Sequence, residues 1–209
     1  MTSATLYLAS ASPRRREILQ QLGLDFVALP QDIDESRLPG ESPTAYVERL
    51  ALAKARAALG ALPDPEGALC LGSDTTVVCN GDIFEKPVDA ADARRILRAL
   101  SGRTHQVLTA VALAAAGTSE VLLSASAVTF RELTDAEIAA YWATGEPADK
   151  AGAYGIQGLG AMFIKDIEGS YSGIMGLPVA ETVALLAQAG ITVEKILEQH
   201  AGKNFGTGA

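Results

Sequence analysis

The most informative stretch of the sequence is Leu6-Tyr7-Leu8-Ala9-Ser10-Ala11-Ser12-Pro13-Arg14-Arg15-Arg16-Glu17-Ile18-Leu19. An apolar run ends in small residues that lead into a helix, which Ser12 can cap and Pro13 can begin, because a missing N–H costs nothing at the first helical position. Gly23 predicts the end of this helix. The free N–H groups at such a helix start favour an anion. The stretch therefore predicts either a phosphate-binding turn or a capped surface helix with solvated arginines.

The three arginines of this stretch cannot all serve one ligand. Successive residues of a helix point about 100° apart, so Arg14, Arg15 and Arg16 leave the helix in different directions. We expect two of them to flank a phosphate chain and the third to be solvated.

Length and charge limit the classes of function. The chain has 209 residues, of which 48% are hydrophobic and 20% charged, as in a soluble globular protein. A chain of this length can bury about 70% of its unfolded surface. The net charge of −8 argues against a surface that binds nucleic acid polymers or anionic membranes. A local arginine cluster within an acidic protein instead indicates a small anionic ligand in a cleft.

The cysteines indicate a reducing compartment. Cys70 and Cys79 are the only cysteines of the sequence, and their odd spacing in one extended segment points them to opposite faces. We therefore expect free thiols rather than a disulfide. The N-terminus shows no secretory signal, and the longest apolar run, 107–116, is too short to cross a bilayer as a helix. These observations predict a cytoplasmic protein.

Lys54 is predicted to lie on the apolar side of a long helix. The helix starts at Ser42-Pro43 and runs to about Leu59, and Lys54 follows Val47 and Leu50 along one side of it. A lysine in this position either extends to water or stays inside beside an anion such as a phosphate. The helix pattern leaves both alternatives open.

Acidic residues form two further candidates. A turn at 31–36 carries Asp32, Asp34 and Glu35, whose oxygen donors suit Mg²⁺ or Mn²⁺, with a solvated loop as the alternative. Asp74 lies in the middle of a predicted strand, 68–79, where aspartate is depleted. Its carboxylate must face a cavity, a cation or a hydrogen-bond partner, and we favour a functional role for it.

The rest of the chain predicts a mixed α/β unit. Asn80-Gly81 is typical of a hairpin, and Thr134 with Glu137 forms a capping box. Further predicted elements are a strand at 26–30, a helix that starts at Asp89 and runs to Leu100, strands at 104–116 and 120–130, a helix from Thr134 to Gly145, a strand at 161–167 paired with an extended segment at 171–175, and a helix from 176–178 to Gly190.

Residues 149–160 form a glycine-rich segment. The segment lacks the order of a dinucleotide fingerprint, and the sequence has no Walker lysine motif. Its glycines permit either a close approach of the backbone to a ligand or unusual φ angles. A flexible loop is the alternative.

Five motifs together resemble the Maf proteins, nucleoside triphosphate pyrophosphatases that are also called septum formation inhibitors. In this chain they are Ser10-Ala11-Ser12-Pro13-Arg14-Arg15, Gly72-Ser73-Asp74-Thr75, Glu85-Lys86-Pro87, Lys150-Ala151-Gly152-Ala153-Tyr154-Gly155-Ile156-Gln157-Gly158 and Gly176-Leu177-Pro178. The resemblance implies an α/β fold related to the inosine triphosphate pyrophosphatases, with a twisted mixed sheet, flanking helices and a cleft between two lobes. It also implies a homodimer. We expect one domain over 1–209, with an ordered core at 5–198 and a flexible tail at 199–209.

The resemblance implies a reaction and a site. The reaction is hydrolysis of dTTP and UTP to the monophosphate plus diphosphate with Mg²⁺ or Mn²⁺, with house-cleaning of modified pyrimidine nucleotides as a wider activity. Asp74 resembles the catalytic carboxylate, and Glu35 and Asp74 are the expected metal ligands. Arg14, Thr75 and Gln157 match the dTTP/UTP branch and are the expected specificity residues. The residues expected to bind substrate are Ser10, Ser12, Arg14, Arg15, Lys54, Lys86 and Gln157.

The alternative function is a nucleotide-binding regulator of cell division or septum formation without turnover. Asp74 distinguishes the two hypotheses, since binding alone does not need a carboxylate beside a triphosphate. The expected partner in both cases is a nucleoside triphosphate, and neither a nucleic acid polymer nor a membrane is expected.

Overall fold

Seven strands form one mixed sheet within residues 4–198, the residues that this computed structural model describes. The strands are β1 (Thr5–Leu8), β2 (Val27–Ala28), β3 (Ala68–Cys79), β4 (Asp82–Phe84), β5 (Thr104–Ala115), β6 (Thr118–Phe130) and β7 (Ile164–Glu168). Their order is β2-β1-β3-β5-β6-β7, and β4 pairs with β3. β1 is parallel to β2 and β3, and the other pairs are antiparallel. The expected mixed α/β class is confirmed.

Helices pack on this sheet, and short polar side chains start several of them. Ser42 accepts a hydrogen bond from the N–H of the third following residue at 3.2 Å, and Asp89 does the same at 2.8 Å. Thr134 and Glu137 form the expected capping box. The helices are α1 (Pro13–Gln21), α2 (Pro43–Gly60), α3 (Ala90–Leu100), α4 (Asp135–Ala143), α5 (Tyr171–Met175) and α6 (Val179–Gln188), with 3-10 segments at Glu146–Asp149, Ala151–Ala153 and Leu159–Phe163 and helical residues at 193–198.

One edge of β3 has a gap in its middle. β5 covers the opposite edge. On the near edge β1 pairs with Ala68–Leu71 and β4 with Val77–Cys79, so within the described chain residues 72–76 have no strand partner there. Since β1 runs parallel to β3 and β4 antiparallel, both strands point their C-terminal ends at the gap. The loop at 9–12 with the start of α1, and residues 85–86, therefore meet beside the middle of β3.

Apolar packing divides the molecule into two lobes around this gap. On one face of β3, Leu69 and Leu71 belong to one buried cluster, while Val77 and Cys79 belong to another. Between them lies Ser73, which is buried and polar. The alternation of side chains along a strand places all five on one face. The two apolar clusters thus form the lobes, and the polar middle of β3 lies between them.

Helix α2 covers the other face of β3 and lies directly on Gly72. A side chain at Gly72 would overlap the carbonyl oxygen of Ala51 and the backbone nitrogen of Ala55. This close approach sets Lys54 over Asp74, which shares the strand face of Gly72. Lys54 is only 8% exposed. Of the two alternatives for this lysine, the buried one is observed.

Two predicted elements near the C-terminus are wrong. Tyr171–Met175 is a helix rather than a strand, because the Ser170 hydroxyl accepts a first-turn N–H at 3.0 Å and the helix ends at Gly176 with φ of +112°. Residues 161–163 belong to a 3-10 segment, and the expected strand begins only at Ile164. The cap and the left-handed glycine favour a helix where we expect an extended segment from the sequence.

Other expectations have mixed outcomes. The strand predicted at 26–30 is only Val27–Ala28, and β6 begins at Thr118 instead of residue 120. Cys70 and Cys79 are free, buried and in different core clusters, as their spacing predicts. Among the described residues, no helix is both long and apolar enough to cross a membrane. The predicted flexible tail, 199–209, lies outside the described residues.

Candidate active site

The gap in β3 opens into one cavity of about 850 Å³, and every site residue that the resemblance implies lines it. Its volume falls in the range of roughly 300–1,000 Å³ that is common for ligand pockets. Arg15 and Asp74, from α1 and β3, therefore face the same space. The predicted residues that line the cavity are Ser10, Ser12, Arg14, Arg15, Glu35, Lys54, Asp74, Thr75, Lys86 and Gln157.

Lys54 links the two predicted acids at the floor of the cavity. Its Nζ lies 2.7 Å from Asp74 Oδ1 and 2.6 Å from Glu35 Oε1. Asp74 is 8% exposed, and burial raises the pKa of Asp74 above its ordinary 3.8, although Lys54 and Arg15 act to lower it. A carboxylate that is desolvated yet kept near cations is a better proton acceptor at neutral pH than an exposed one.

Arg15 is held by three other segments of the chain. Its Nε donates to the Gly176 carbonyl at 2.7 Å, Nη1 to Ser10 Oγ at 3.1 Å, and Nη2 to Thr75 Oγ1 at 3.3 Å. Burial lowers the pKa of Arg15, while Asp74 raises it; a guanidinium stays charged in either case. Gly176 belongs to one of the motifs quoted above, but the sequence does not predict this contact, because only the fold brings its carbonyl to Arg15.

Thr75 contacts Arg15 and a neighbouring strand. Its Oγ1 lies 3.0 Å from Thr109 Oγ1, which lies 2.7 Å from the Gly173 carbonyl oxygen. The hydroxyl thus joins Arg15 to β5 and α5. Thr75 lines the cavity and also contacts Arg15, so it can affect substrate choice directly and through the position of Arg15.

The other two arginines of α1 differ in position. Arg14 lines the cavity and its Nη1 pairs with Asp149 Oδ2 at 3.1 Å. Arg16 does not line it, as expected for one of the three; the residue is partly exposed, and its Nε is buried without a hydrogen-bond partner among the described residues. The predicted cap is also absent: the Ser12 side chain makes no capping bond, and its N–H donates to Ser10 Oγ at 3.2 Å.

The acidic turn supplies one cavity residue. Glu35 lines the cavity, whereas Asp32 and Asp34 do not. Asp34 Oδ1 instead accepts the N–H of Ser36 at 2.9 Å, the short-range bond that aspartate forms in turns. The solvated-loop alternative therefore holds for two of the three acids.

Tyr46 fixes the turn and the end of β4, and sequence reasoning missed it. Its hydroxyl lies 3.0 Å from the Glu35 carbonyl oxygen and 2.9 Å from Glu85 Oε1. Burial and the neighbouring Glu85 carboxylate raise its pKa. Glu85 is thereby turned towards Tyr46, and the next residue, Lys86, is exposed at the cavity wall.

The glycine-rich segment owes its glycines to its own chain. Gly152 has φ of +72°, and a side chain there would meet Val77. A side chain at Gly158 would lie 2.5 Å from Glu146 Oε2, and one at Gly160 would lie 2.7 Å from a tyrosine hydroxyl. The unusual φ angle is thus observed at Gly152, while the close approaches of the backbone are to protein groups.

The two carboxylates at the floor can supply part of the ligand set of a hard cation. Among the described residues no group of three or more His, Cys, Asp or Glu could hold a metal. Asp74 and Glu35 each contact Lys54 through one oxygen, so the second oxygen of each is the candidate ligand. Mg²⁺ is commonly bound by one or two carboxylates together with substrate phosphates, and this donor set fits that mode.

The cavity thus brings Arg14, Arg15, Lys54 and Lys86 of an acidic chain together around Asp74, an arrangement that suits a small phosphorylated ligand. The chain belongs to the family described as "Maf-like protein", whose model matches residues 5–189.

Relatives cover most of the chain. A protein of Hahella chejuensis is 55% identical over 188 residues, or 90% of this chain and 94% of that protein. One of Chromobacterium violaceum is 56% identical over 88% of this chain and 94% of its own length, and one of Escherichia coli O157:H7 is 52% identical over 97% and 100%. Each is named "dTTP/UTP pyrophosphatase". The solved structure of the Staphylococcus aureus Ham1 protein matches 60% of this chain and 71% of its own, with 16% identity and a TM-score of 0.46.

Proposed function

We propose that this chain is a dTTP/UTP pyrophosphatase, a hydrolase that cleaves these triphosphates to the monophosphate and diphosphate. The observation that carries the proposal is the buried Lys54–Asp74 pair, 2.7 Å apart, in the cavity that Arg15 also lines. Relatives at 52–56% identity over most of the chain carry that name. A binding protein would gain nothing from a carboxylate placed against a triphosphate.

The cavity supplies cations for the phosphate chain. A triphosphate carries about four negative charges near neutral pH and needs several positive groups to hold it. Arg14 and Arg15 supply guanidinium forks for paired phosphate oxygens, and Lys54 and Lys86 supply point charges. Ser10 and Ser12 add hydroxyls and backbone N–H groups at the start of α1. Arg15, whose guanidinium is already braced, sets where the phosphates lie.

Asp74 is placed to take a proton from the attacking water. As the water oxygen bonds to the α-phosphorus, its proton passes to the Asp74 carboxylate and the bond from the α-phosphorus to the bridging oxygen breaks. Diphosphate leaves with that oxygen. Lys54 keeps Asp74 oriented through the 2.7 Å contact. Its positive charge also stabilises the negative charge that develops on the phosphate oxygens.

A divalent cation, Mg²⁺ or Mn²⁺, completes the proposal. Asp74 and Glu35 are the residues that would hold it. The cation would neutralise phosphate charge and polarise the phosphoryl oxygens. Glu35 reaches the floor from an exposed turn that Tyr46 fixes.

Base recognition is assigned to Gln157. Gln157 is exposed and lines it, and an amide both donates and accepts, as a pyrimidine edge requires. A site built to hydrogen-bond one base edge rejects bases that leave its polar groups unpaired. Arg14 and Thr75 complete the proposed specificity set, Thr75 both directly and by way of Arg15.

Release of diphosphate from a nucleotide panel tests this function. The panel should contain dTTP, UTP, 5-methyl-UTP, dCTP, dATP and dGTP, each with Mg²⁺, with Mn²⁺ and with a chelator. Preferential, metal-dependent turnover of dTTP and UTP is expected. Tight binding of dTTP without turnover under any condition would instead favour the nucleotide-binding regulator.

Two further properties belong to the proposal. A homodimer follows from the resemblance to the Maf proteins, and light scattering on the purified protein measures it. A cytoplasmic location fits the two free thiols, and fractionation of the source cells tests it.

A further inference from the structure

Glu146 lies outside the cavity yet is tied to the segment that carries Gln157. Its Oε2 accepts the N–H of Leu159 at 2.8 Å, and its Oε1 accepts the N–H of Gly160 at 3.0 Å. The Tyr141 hydroxyl donates to the same Oε1 at 2.7 Å. Three donors thus converge on one half-buried carboxylate.

The Tyr141 hydroxyl extends this contact to the other side of Gln157. The oxygen that donates to Glu146 also accepts the N–H of Gly155 at 3.1 Å, and the tyrosine ring is buried in the core. Gly158 N–H donates to the Gly155 carbonyl at 3.3 Å, which closes a turn from 155 to 158. Gln157 therefore lies in a turn whose two ends are held by a single carboxylate–phenol pair.

The glycines around Gln157 are explained by the same pair. A Cβ at Gly158 would lie 2.5 Å from Glu146 Oε2, and a Cβ at Gly160 would lie 2.7 Å from the Tyr141 hydroxyl. The backbone can reach these two groups only where side chains are missing. Glycine at 158 is therefore required by Glu146, and glycine at 160 is required by Tyr141 together with the backbone of Gly155.

Glu146 is ionised when it makes these contacts. Burial disfavours its charge, but hydrogen bonds from Gly160, Tyr141 and Leu159 outweigh burial and lower the pKa of Glu146. Hydrogen bonds to an ionised acceptor are stronger than neutral ones, so the turn is held firmly across the neutral pH range.

We propose that Glu146 is a positioning residue for base selection: through the turn at 155–158 it fixes the direction of the Gln157 amide. The inference rests on the proposed function, in which Gln157 reads the pyrimidine. Glu146 does not line the cavity, although its carboxylate also interacts with Lys150, which does; its effect on the base passes through the turn. It sets which base is accepted and leaves the phosphate chemistry at Asp74 untouched.

The variant Glu146→Gln tests the assignment, because its amide cannot accept from all three donors. We expect kcat/KM for dTTP and UTP to fall roughly 10- to 100-fold, mostly through KM, as a misplaced recognition group would cause. For dCTP, which Gln157 does not favour, a change below about threefold is expected. The selectivity for dTTP over dCTP therefore collapses. Glu137→Gln is the matched control: this carboxylate also accepts a backbone N–H at 2.7 Å, but at the start of α4, and selectivity should stay unchanged.

Further variants separate positioning from general damage. In a Gln157→Ala background, Glu146→Gln should have no further effect on selectivity. Tyr141→Phe, which removes the hydroxyl shared with Gly155, should reproduce the loss of selectivity and decides the question if Glu146→Gln does not fold. An equal fall of kcat/KM for all nucleotides, or an unchanged ratio of kcat/KM for dTTP to that for dCTP, would overturn the proposal. Failure of the proposed function is visible separately, as wild-type protein without pyrimidine preference.

Discussion

The floor of the cavity and the turn at its rim are built in opposite ways. At the floor, Lys54 and Asp74 come from the middle of a long helix and a long strand and are 8% exposed. At the rim, Gln157 is exposed on a turn flanked by 3-10 segments, and the contacts of Glu146 and Tyr141 hold it. The floor is rigid because of its elements, whereas the rim is ordered by a few hydrogen bonds.

This difference predicts which substitutions change turnover and which change the choice of base. A group on regular elements is placed by the whole core, so a substitution there removes its chemistry with little movement of its surroundings. A group on a turn depends on each bond that holds it. We therefore expect the floor to control turnover of all substrates and the rim to control the choice among them.

Asp74→Asn is expected to have the largest effect. Loss of the proton acceptor should lower kcat by about two to four decades for every nucleotide, because general-base catalysis contributes that much. Nucleotide binding, measured by calorimetry with dTTP, should be retained. A loss confined to some bases would contradict the separation of floor and rim.

The same variant should not lose stability at neutral pH. Because burial raises the pKa of Asp74 above 3.8, the folded state binds this proton more tightly than the unfolded chain does. The stability contributed by this group is then present below about pH 3.8 and is lost as pH rises through the folded pKa. The neutral amide of the Asp74→Asn variant carries no such cost, so thermal unfolding at pH 7 should give a Tm equal to or above that of the wild type.

Lys54→Met should move the pH dependence of turnover. Without the ammonium, the charge that lowers the pKa of Asp74 is gone, so the acid limb of the kcat/KM profile should shift to higher pH. Loss of a cation beside the phosphates should also cost roughly 100-fold in kcat/KM. Arg56→Met, on the exposed side of the same helix, is the control and should leave both unchanged. An unshifted acid limb would remove Lys54 from the control of Asp74.

Arg14→Ala and Arg16→Ala compare two neighbours with different positions. Arg14 lines the cavity, so its loss should raise KM for dTTP about tenfold, as expected for one lost charge-assisted contact. Arg16 lies outside it and should leave KM within about twofold. Steady-state kinetics on both variants decides, and equal effects would contradict the assigned directions.

The smallest effect is expected at Thr76. Thr76 lines the cavity, but its Oγ1 is buried and, within the described chain, without a hydrogen-bond partner. Thr76→Val should therefore raise the free energy of unfolding by up to about 1 kcal/mol and change kcat/KM less than the substitution at Thr75 does. The same substitution one residue earlier, Thr75→Val, removes a contact to Arg15 and should lower kcat/KM about tenfold. Urea unfolding and kinetics of the pair provide the measurement; a reversed order would contradict this contrast.

The sequence predicts the floor better than the rim. The strand at 68–79 and the helix that begins at Pro43 follow from apolar pattern and caps, and their contact at Gly72 places Lys54 over Asp74. Contacts that depend on tertiary structure have no such local signal. The Gly176 carbonyl lies 161 residues from Arg15 in sequence.

Helix α5 and Glu146 show why the rest could not be predicted. The segment 171–175 is expected from the sequence to be extended and to pair with the preceding strand, whereas the Ser170 cap and the left-handed Gly176 bound a helix there. Glu146 looks like an ordinary acid after a helix, and its contacts to Leu159 and Gly160 arise from folding of the glycine-rich segment. The glycines of 149–160 are the local signal, since they indicate either a close approach of the backbone to a ligand or unusual φ angles; at Gly158 the group approached is Glu146 of the chain itself.

The most direct measurement is kcat/KM for dTTP, UTP and dCTP by diphosphate release, on the wild type, Asp74→Asn and Gln157→Ala. The account predicts that Asp74→Asn lowers turnover of all three nucleotides by a similar factor and keeps their ranking. We predict that Gln157→Ala lowers kcat/KM for dTTP and UTP, whereas kcat/KM for dCTP hardly changes. Turnover by Asp74→Asn at the wild-type rate would contradict the assignment of Asp74 as the proton acceptor.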